Sequence, residues 1–569
     1  MLARGLTPRL VPALLVALVV LIFIARTSVS FYWPVPLSTD EAQYLAWSYD
    51  LQAGYYSKPP AIAWVLATAH AVCPVTQASN LEACSRWLQP LAFLISSLAA
   101  MATTHLLTQS IRTALWAGLL LLSSPLATFY SQAATTDAWL LAWWSLGLLC
   151  LVAASPAHLL DGRLTDSRGV GDRINQPSAH RLVWWLACGL FLGLGLLTKY
   201  SMLLFAVAAF VFLLARRQLG QAGPWLAVAL AILIFLPNLL WNSDLGWPTL
   251  AHHADITVGQ ERSGLQPTKS LEWLASQFLV FSPLVFVAFL VASASQLRNL
   301  LQHRRLRIGS LGKTDPASLG SLPFLMSWLV LGVVFLQALL SRAHANWAAP
   351  ALVGIAIGVA IGCHRAGNRT GEGRSSRSTI AGIDRTRLWI ALVLWGSLSL
   401  NLLTNAALLA APWAVPALGH AGSRATDPFV RLTGFKEVAL VAGSAARAEG
   451  QLQLASADRA LLASLTAYNP DLSVYADNPE GLIDNHWQLQ HDLAKATLSK
   501  NSRVLLLVMV DRQASSFGPL LAELSTRFDS VEPLASSQPD LADALERIVL
   551  AGRSERGVVG FWVSLRARD

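Results

Sequence analysis

The feature that most limits what this chain can become is the recurrence of apolar segments long enough to cross a bilayer. A spanning helix needs roughly 17 to 25 apolar residues. Segments of about that length fall near 10–26, 87–108, 113–132, 137–154, 182–198, 201–215, 223–243, 273–297, 322–340, 348–363 and 388–411. Between Arg181 and Arg216 the chain is one long apolar run. We divide it at "TKYS", because Lys199 is costly at mid-membrane. The composition agrees: 54% of the residues are hydrophobic and 13% charged, where a soluble domain carries about a quarter charged. We expect a polytopic α-helical membrane protein with about 11 transmembrane helices.

The net charge of +9 would suggest nucleic acid in a soluble chain. Here it tracks topology. With the N-terminus inside, inner loops hold twenty basic residues, among them Arg112, Arg163, Arg216, Arg298, Arg365 and Arg387. Outer loops hold seven: Arg26, Lys58, Arg86, Lys199, Arg262, Lys269 and Arg342. Basic residues concentrate on the cytoplasmic side, so nucleic acid is set aside. An odd number of spans then puts the C-terminal residues outside. The first segment follows Arg4 and Arg9 as a signal peptide would, but no clean small-residue cleavage site precedes "FYWPVP". We expect a retained helix with Arg26 at its outer end.

Residues 1–411 form the transmembrane region on this reading, with interfacial helices in the loop 27–86. Within that loop "DEAQYLAWSYDLQ" has helical spacing, capped by Asp40 or Thr39, and "PPAIAWVLATAHAV" is a second helix too short to span. Outer loops near "YSQAATTDAW", 244–272 and 341–350 follow; the second of these reads as a mobile polar loop. The inner loops 155–181 and 364–387 read as solvated connectors. Residues 412–569 change character. "SRVLLLVMV" and "GVVGFWVSL" read as buried strands, "FGPLLAELSTRF" and "ADRALLASLTAY" as amphipathic helices. We expect a C-terminal external α/β domain. Cys150, Cys188 and Cys363 fall in spans; Cys73 and Cys84 share an outer loop and either pair or stay as two small residues.

Asp40, Glu41 and Lys58 lie in the first outer loop, and Asp137 opens the fourth span from the second. Ionisable groups near the membrane are functional candidates. A carboxylate suits the removal of a hydroxyl proton, and a lysine suits charge growing on a departing phosphate. Neighbours on a helix point about 100° apart, so Asp40 and Glu41 take different roles. We assign Asp40 as base and Glu41 as an orienting or metal-facing group. The competing account is a helix cap by Asp40 beside a solvated Glu41.

"TDEAQYLAWSYDLQAGYYSKPPAIAWV" resembles the first periplasmic loop of bacterial GT-C glycosyltransferases, the family of dolichyl-phosphate-mannose protein mannosyltransferases and lipid A aminoarabinose transferases. "SPLATFYSQAATTDAWLLAWW", "GLFLGLGLLTKYSMLL", "FLPNLLWNSDLGWPTL" and "ANWAAPA" extend the resemblance in order over roughly 30–355. It implies a GT-C-like fold in a bacterial inner membrane. The donor would be a polyprenyl-phosphate-linked sugar, and the transfer would be inverting, to an envelope acceptor (glycolipid, polysaccharide or protein) on the periplasmic face. Asp40 then matches the catalytic base, Glu41 its acidic neighbour and Asp137 the second-loop carboxylate. Lys58 and Tyr55 match the donor-phosphate region, and Lys199 is a further phosphate contact. His344 and Asn346 are read either as donor contacts or as a polar helix cap. Cofactors are not fixed by the pattern. A divalent metal stays open, but relatives often place an acid where Ser57 stands here, which puts a metal held there in doubt.

Other residues carry weaker signals. His252 and His253 belong to the polar loop and lack matched metal ligands. Tyr44, Trp47 and Trp64 read as interfacial anchors. His486 and Trp487 either touch an acceptor or pack a surface. Two other classes compete with the enzyme: a transporter or flippase of lipid-linked sugars, and an assembly protein. A transporter would put charges in mid-span and show repeat symmetry. An assembly protein would leave Asp40, Lys58 and Asp137 without a task.

Overall fold

The computed structural model describes residues 10–73, 80–155, 179–257, 264–306, 320–341, 343–372, 379–380, 383–498, 502–512 and 517–565. Much of both arginine-rich connectors lies outside them, with Arg163, Arg168, Arg173, Arg307, Lys313, Arg374 and Arg377 of the charge count. So do Arg4, Arg9, Arg262 and Arg342. The chain divides into two compact units.

The first unit comprises Met1–Phe31, Arg86–Leu245 and His253–Leu409 and holds the apolar helices. Among the described residues, nine helices are long and apolar enough to cross a membrane. Three of the eleven expected spans differ: 273–297 is broken between helices Pro267–Val280 and Pro283–Leu306, and two others are not single spanning helices. The 113–132 segment is two helices, Ile111–Leu122 and Pro125–Ser131, bent by 57°. Ser124 caps the second through the Ala127 amide, with Pro125 at the first helical position, so the first cannot run on. The 201–215 segment is the short helix Tyr200–Ala215, roughly 24 Å at 1.5 Å per residue against a hydrocarbon core of about 30 Å. The break at "TKYS" stands: one helix ends at Thr198 and the next begins at Leu203, with a 3-10 turn at Tyr200–Met202 between them.

Burial ranks these helices. The span Thr136–Ala154 is 72% buried, whereas Leu10–Tyr32 is 22% buried and exposes an apolar face suited to hydrocarbon. The glycines of "GLFLGLGLL" let helices approach: a β-carbon at Gly189 would lie 2.4 Å from the carbonyl oxygen of Ala227. Helices Ala179–Thr198 and Ala222–Asp244 therefore pack backbone to backbone there. Arg26 is not at an outer helix end. It is buried within Leu10–Tyr32 and donates to Thr128, which in turn donates to Asn405 Oδ1. A buried guanidinium needs acceptors; Thr128 accepts from Nη2, while Nη1 is buried without a hydrogen-bond partner.

The second unit comprises Tyr32–Ser85, Gly246–His252 and Ala410–Asp569. Its sheet has five strands: β1 Gln453–Ser456, β2 Ser473–Ala476, β3 Val504–Asp511, β4 Ser530–Pro533 and β5 Arg556–Ser564. Their order is β2-β1-β3-β5-β4. β1 pairs in parallel with β2 and β3, while β5 runs antiparallel to β3 and β4. The apolar run of β3 is buried at Val504–Leu507, as a central strand covered on both faces requires. Helices Arg459–Tyr468 and Gly518–Arg527 fill the two amphipathic stretches.

Residues 32–85, grouped by sequence with the spans, pack in this unit instead. Helix Thr39–Ser48 lies on helix Arg459–Tyr468, and Tyr49 Oη donates to the Ala467 carbonyl at 2.9 Å. Lys436 Nζ pairs with Glu82 Oε1 at 2.5 Å, and Tyr468 Oη donates to the same oxygen at 3.0 Å. Cys73 and Cys84 form a disulfide.

Candidate functional site

In the first unit, three segments distant in sequence meet at one carboxylate. Asp137 sits in the first turn of Thr136–Ala154, where the helix dipole favours a negative charge. It is buried. Lys199 Nζ donates to Asp137 Oδ1 at 2.7 Å, and Asn346 Nδ2 donates to Asp137 Oδ2 at 3.1 Å. Lys199 is available because the chain breaks at Thr198. Asn346 is presented by the 3-10 turn Ala345–Ala348. That turn is pinned from helix Pro267–Val280. Trp273 Nε1 donates to the His344 carbonyl at 3.2 Å, and Gln277 Nε2 to the Ala345 carbonyl at 3.3 Å. The His344 ring meets Trp347 edge to face.

A cavity of about 500 Å³ opens beside this turn, lined by His344, Ala345, Ser341, Ser276, Lys269 and Glu272 among others. His344 therefore borders a space and does not cap a helix through its side chain. Next to Lys199 in sequence, Tyr200 Oη donates to Asn238 Oδ1 at 2.9 Å, and the Asn242 amide reaches the same hydroxyl at 3.4 Å. Asn238 and Asn242 are one helical turn apart on a single face. That spacing inside "FLPNLLWN" was the sequence signal for them, and the reading above passed over it.

In the second unit the adjacent acids have different partners. Ser38 is the N-cap of Thr39–Ser48. Glu41 N donates to Ser38 Oγ at 3.3 Å, and Ser38 N donates to Glu41 Oε2 at 3.0 Å. This reciprocal pair is a capping box, so neither Asp40 nor Thr39 is the cap. Glu41 is buried in it rather than solvated. Asp40 is exposed and meets Arg459 Nη1 at 3.3 Å. Arg459, which the sequence reading missed, also donates to Gln43 Oε1 at 3.1 Å.

Lys58 follows a tight reversal, in which Tyr55 and Lys58 exchange backbone hydrogen bonds of 3.1 and 3.3 Å. Pro60 then opens helix Ala61–Ala71, so "KPP" marks the end of the turn. Tyr55 does not present its hydroxyl to a ligand. Its Oη lies 2.9 Å from the Trp47 carbonyl and 2.8 Å from that of Asp50, and accepts from Gln52 N at 3.1 Å. Burial pushes this phenol up. Its ring stacks on Trp47 at 4.5 Å. Ser57 accepts from Gln43 Nε2 at 3.5 Å.

Among the described residues no group of three or more His, Cys, Asp or Glu could hold a metal ion. Residues 244–272 are not all loop, since helix Pro248–Thr257 lies within them. His252 packs against Tyr56 at 5.0 Å, and His253 against Tyr200 at 5.5 Å. Trp47 is buried rather than an interfacial anchor, while Trp64 is exposed.

Residues 176–241, which take in the glycine-packed helix pair, match the family model described as dolichyl-phosphate-mannose-protein mannosyltransferase. A lipid A galacturonosyltransferase, RgtD, of Rhizobium johnstonii is 31% identical over 322 residues. That match takes in 55% of this chain and spans 58% of the length of the relative. The crystal structure of ArnT from Cupriavidus metallidurans bound to undecaprenyl phosphate has a TM-score of 0.56 at 16% identity, over 96% of this chain and 97% of that one. Its apo state has a TM-score of 0.55 at 16% identity, over the same shares. The chain therefore has the fold of ArnT, and it is similar over residues 176–241 to the dolichyl-phosphate-mannose-protein mannosyltransferase family model and over 55% of its length to the lipid A galacturonosyltransferase of R. johnstonii.

Proposed function

We propose that this multi-pass membrane protein is an inverting glycosyltransferase. It moves a sugar from a polyprenyl-phosphate donor to an envelope acceptor on the periplasmic face of a bacterial inner membrane. The observation that carries the reading is the convergence of Lys199 and Asn346 on the buried Asp137, with a cavity of about 500 Å³ at His344 and Ala345, where the turn that presents Asn346 begins. A buried carboxylate that fixes a lysine is a device for holding a cation in place for an anionic ligand. The lipid phosphates named for the similar proteins support the same class. A lipid phosphate is bound in ArnT, and dolichyl-phosphate-mannose is named in the family description.

The chemistry balances simply. The acceptor hydroxyl oxygen attacks the anomeric carbon, and the bond from that carbon to the phosphate oxygen breaks. The hydroxyl proton passes to Asp40, and the phosphate leaves with the bonding pair. Asp40 suits the base because it is exposed and engaged only by a weak surface pair. Lys58, in the same unit as Asp40, is assigned to the charge growing on the phosphate. Asp137 and Asn346 position Lys199, and His344 borders the space offered to the donor. Tyr55 is left out, because its hydroxyl is committed to the backbone. No metal enters a step. Glu41, the group expected to face one, is committed to the cap.

The test is reconstitution in phospholipid vesicles with undecaprenyl-phosphate sugars, reading release of undecaprenyl phosphate. Asp40→Asn is expected to lower turnover by about 10²–10⁴-fold with unfolding unchanged. Turnover within tenfold of the native chain overturns the assignment of Asp40.

A further inference from the structure

The second unit holds a cavity that the proposed chemistry does not use. Its volume is about 220 Å³, where a single water needs about 10–15 Å³. Aromatic rings make up half of its wall, among them Trp47, Tyr49, Tyr55, Tyr475, His486 and Trp487. Trp47 and Tyr55 lie parallel, and His486 stands edge-on to both at 5.7 and 5.2 Å. Trp487 is fixed by its Nε1, which donates to Thr466 Oγ1 at 3.0 Å.

Two atoms of this wall are unsatisfied. Trp47 Nε1 and His486 Nδ1 are buried and have no hydrogen-bond partner. Trp47 is 2% exposed and His486 5%. Buried polar atoms are nearly always paired, and those that are not call for an explanation. A ligand with hydroxyl groups supplies one. Charge narrows the class further. The wall includes one carboxylate, Asp50, and no lysine or arginine. Burial holds His486 down to about 3, helped by neighbouring His491, and it lowers His491 as well. Both imidazoles are held towards the neutral form, and the wall offers an anion no lysine or arginine.

We propose that this cavity binds one ring of a saccharide that carries no negative charge, a neutral or amino pyranose. Such a ring matches the wall. Its C–H face lies on aromatic rings, and its hydroxyls would pair the indole and imidazole nitrogens, which the wall keeps covered, when the side chains shift to admit it. As the grip on a glycan acceptor, the site would rest on the transferase reading; as a sugar site, it does not.

The test uses the full chain in phospholipid nanodiscs, free of glycoside detergents, and saturation-transfer NMR. The probes are methyl α-D-glucopyranoside, methyl β-D-galactopyranoside and methyl β-D-glucosaminide. At least one is expected to receive saturation, and tenfold excess inorganic phosphate should not displace it. His486→Phe keeps the ring and removes its nitrogens; binding should weaken at least tenfold. Ser473 is an exposed residue of the wall, so Ser473→Trp fills the space without disturbing the core. It should abolish the signal while thermal unfolding stays native. The proposal is overturned if no probe is saturated, if phosphate competes, or if Ser473→Trp binds as the native chain does. None of these outcomes bears on sugar transfer, which is read separately through undecaprenyl phosphate.

Discussion

Lys199 and Asp137 are 62 residues apart in the chain, yet the lysine Nζ donates to the carboxylate at 2.7 Å. Asp137 keeps 5% of its side chain exposed and Lys199 keeps 19%. Two opposite charges this far out of water are stable together and costly apart. Each is therefore the reason the other is tolerated.

That mutual dependence gives the first prediction. Lys199→Met leaves a buried carboxylate with only Asn346, and should lower stability by about 3 kcal/mol. The double variant Lys199→Met with Asp137→Asn should recover part of that loss, but no transfer. Thermal unfolding of the four chains in one lipid decides it; additive losses would show that the pair is not coupled.

Glu41 separates a capping role from a chemical one. Glutamine serves a capping box as glutamate does. Glu41→Gln should therefore keep both fold and transfer, whereas Glu41→Ala should cost about 1 kcal/mol through the lost cap. If Glu41→Gln folds normally but fails to turn over, the carboxylate has a task beyond the cap.

Acid should weaken the second unit through His486. Its folded pKa is depressed from 6.5 to about 3. Above pH 6.5 both states hold a neutral ring, and the contribution is complete. Below 6.5 the unfolded chain takes a proton that the folded one refuses. Stability then falls by about 1.4 kcal/mol per pH unit, down towards pH 3. Unfolding midpoints between about pH 7.5 and 5 should drop in the native chain. In His486→Gln they should drop less steeply.

The disulfide closes a separation of 11 residues between Cys73 and Cys84. Cross-links of this kind stabilise by about 2–4 kcal/mol, chiefly by restricting the unfolded chain. Replacing both cysteines by serine should lower the unfolding midpoint. Added reductant should lower that of the native chain by as much, with no effect on the double variant.

The sequence was most informative where physics is local. Lys199 cannot sit inside an apolar helix, so the break at "TKYS" was legible. β3 and β5 were legible from their unbroken apolar runs. Ser38 was legible too, since Ser-x-x-Glu before an apolar run is the mark of a capping box, but attention stayed on Asp40. Other features depend on packing between distant segments. Asp137, Lys199 and Asn346 were each singled out, yet their meeting spans 62 and 209 residues and no pattern within one helix encodes it. Tyr55 reads as a ligand contact because, by the resemblance, it matches the donor-phosphate region with Lys58. Only the backbone carbonyls of Trp47 and Asp50 reveal that its hydroxyl is occupied. The Arg459 contact to Asp40 was out of reach for the same reason.

The second unit is assembled from three stretches of chain separated by the spans, so the polypeptide passes between the two units five times. Cutting before Ala410 would not release a finished domain. The fragment would lack helix Thr39–Ser48, the disulfide loop and Thr249, whose hydroxyl donates to the Tyr55 carbonyl. For the same reason the unit is not a cassette that a single recombination could transplant to another membrane protein. Its parts must be inherited together, interleaved with the spans.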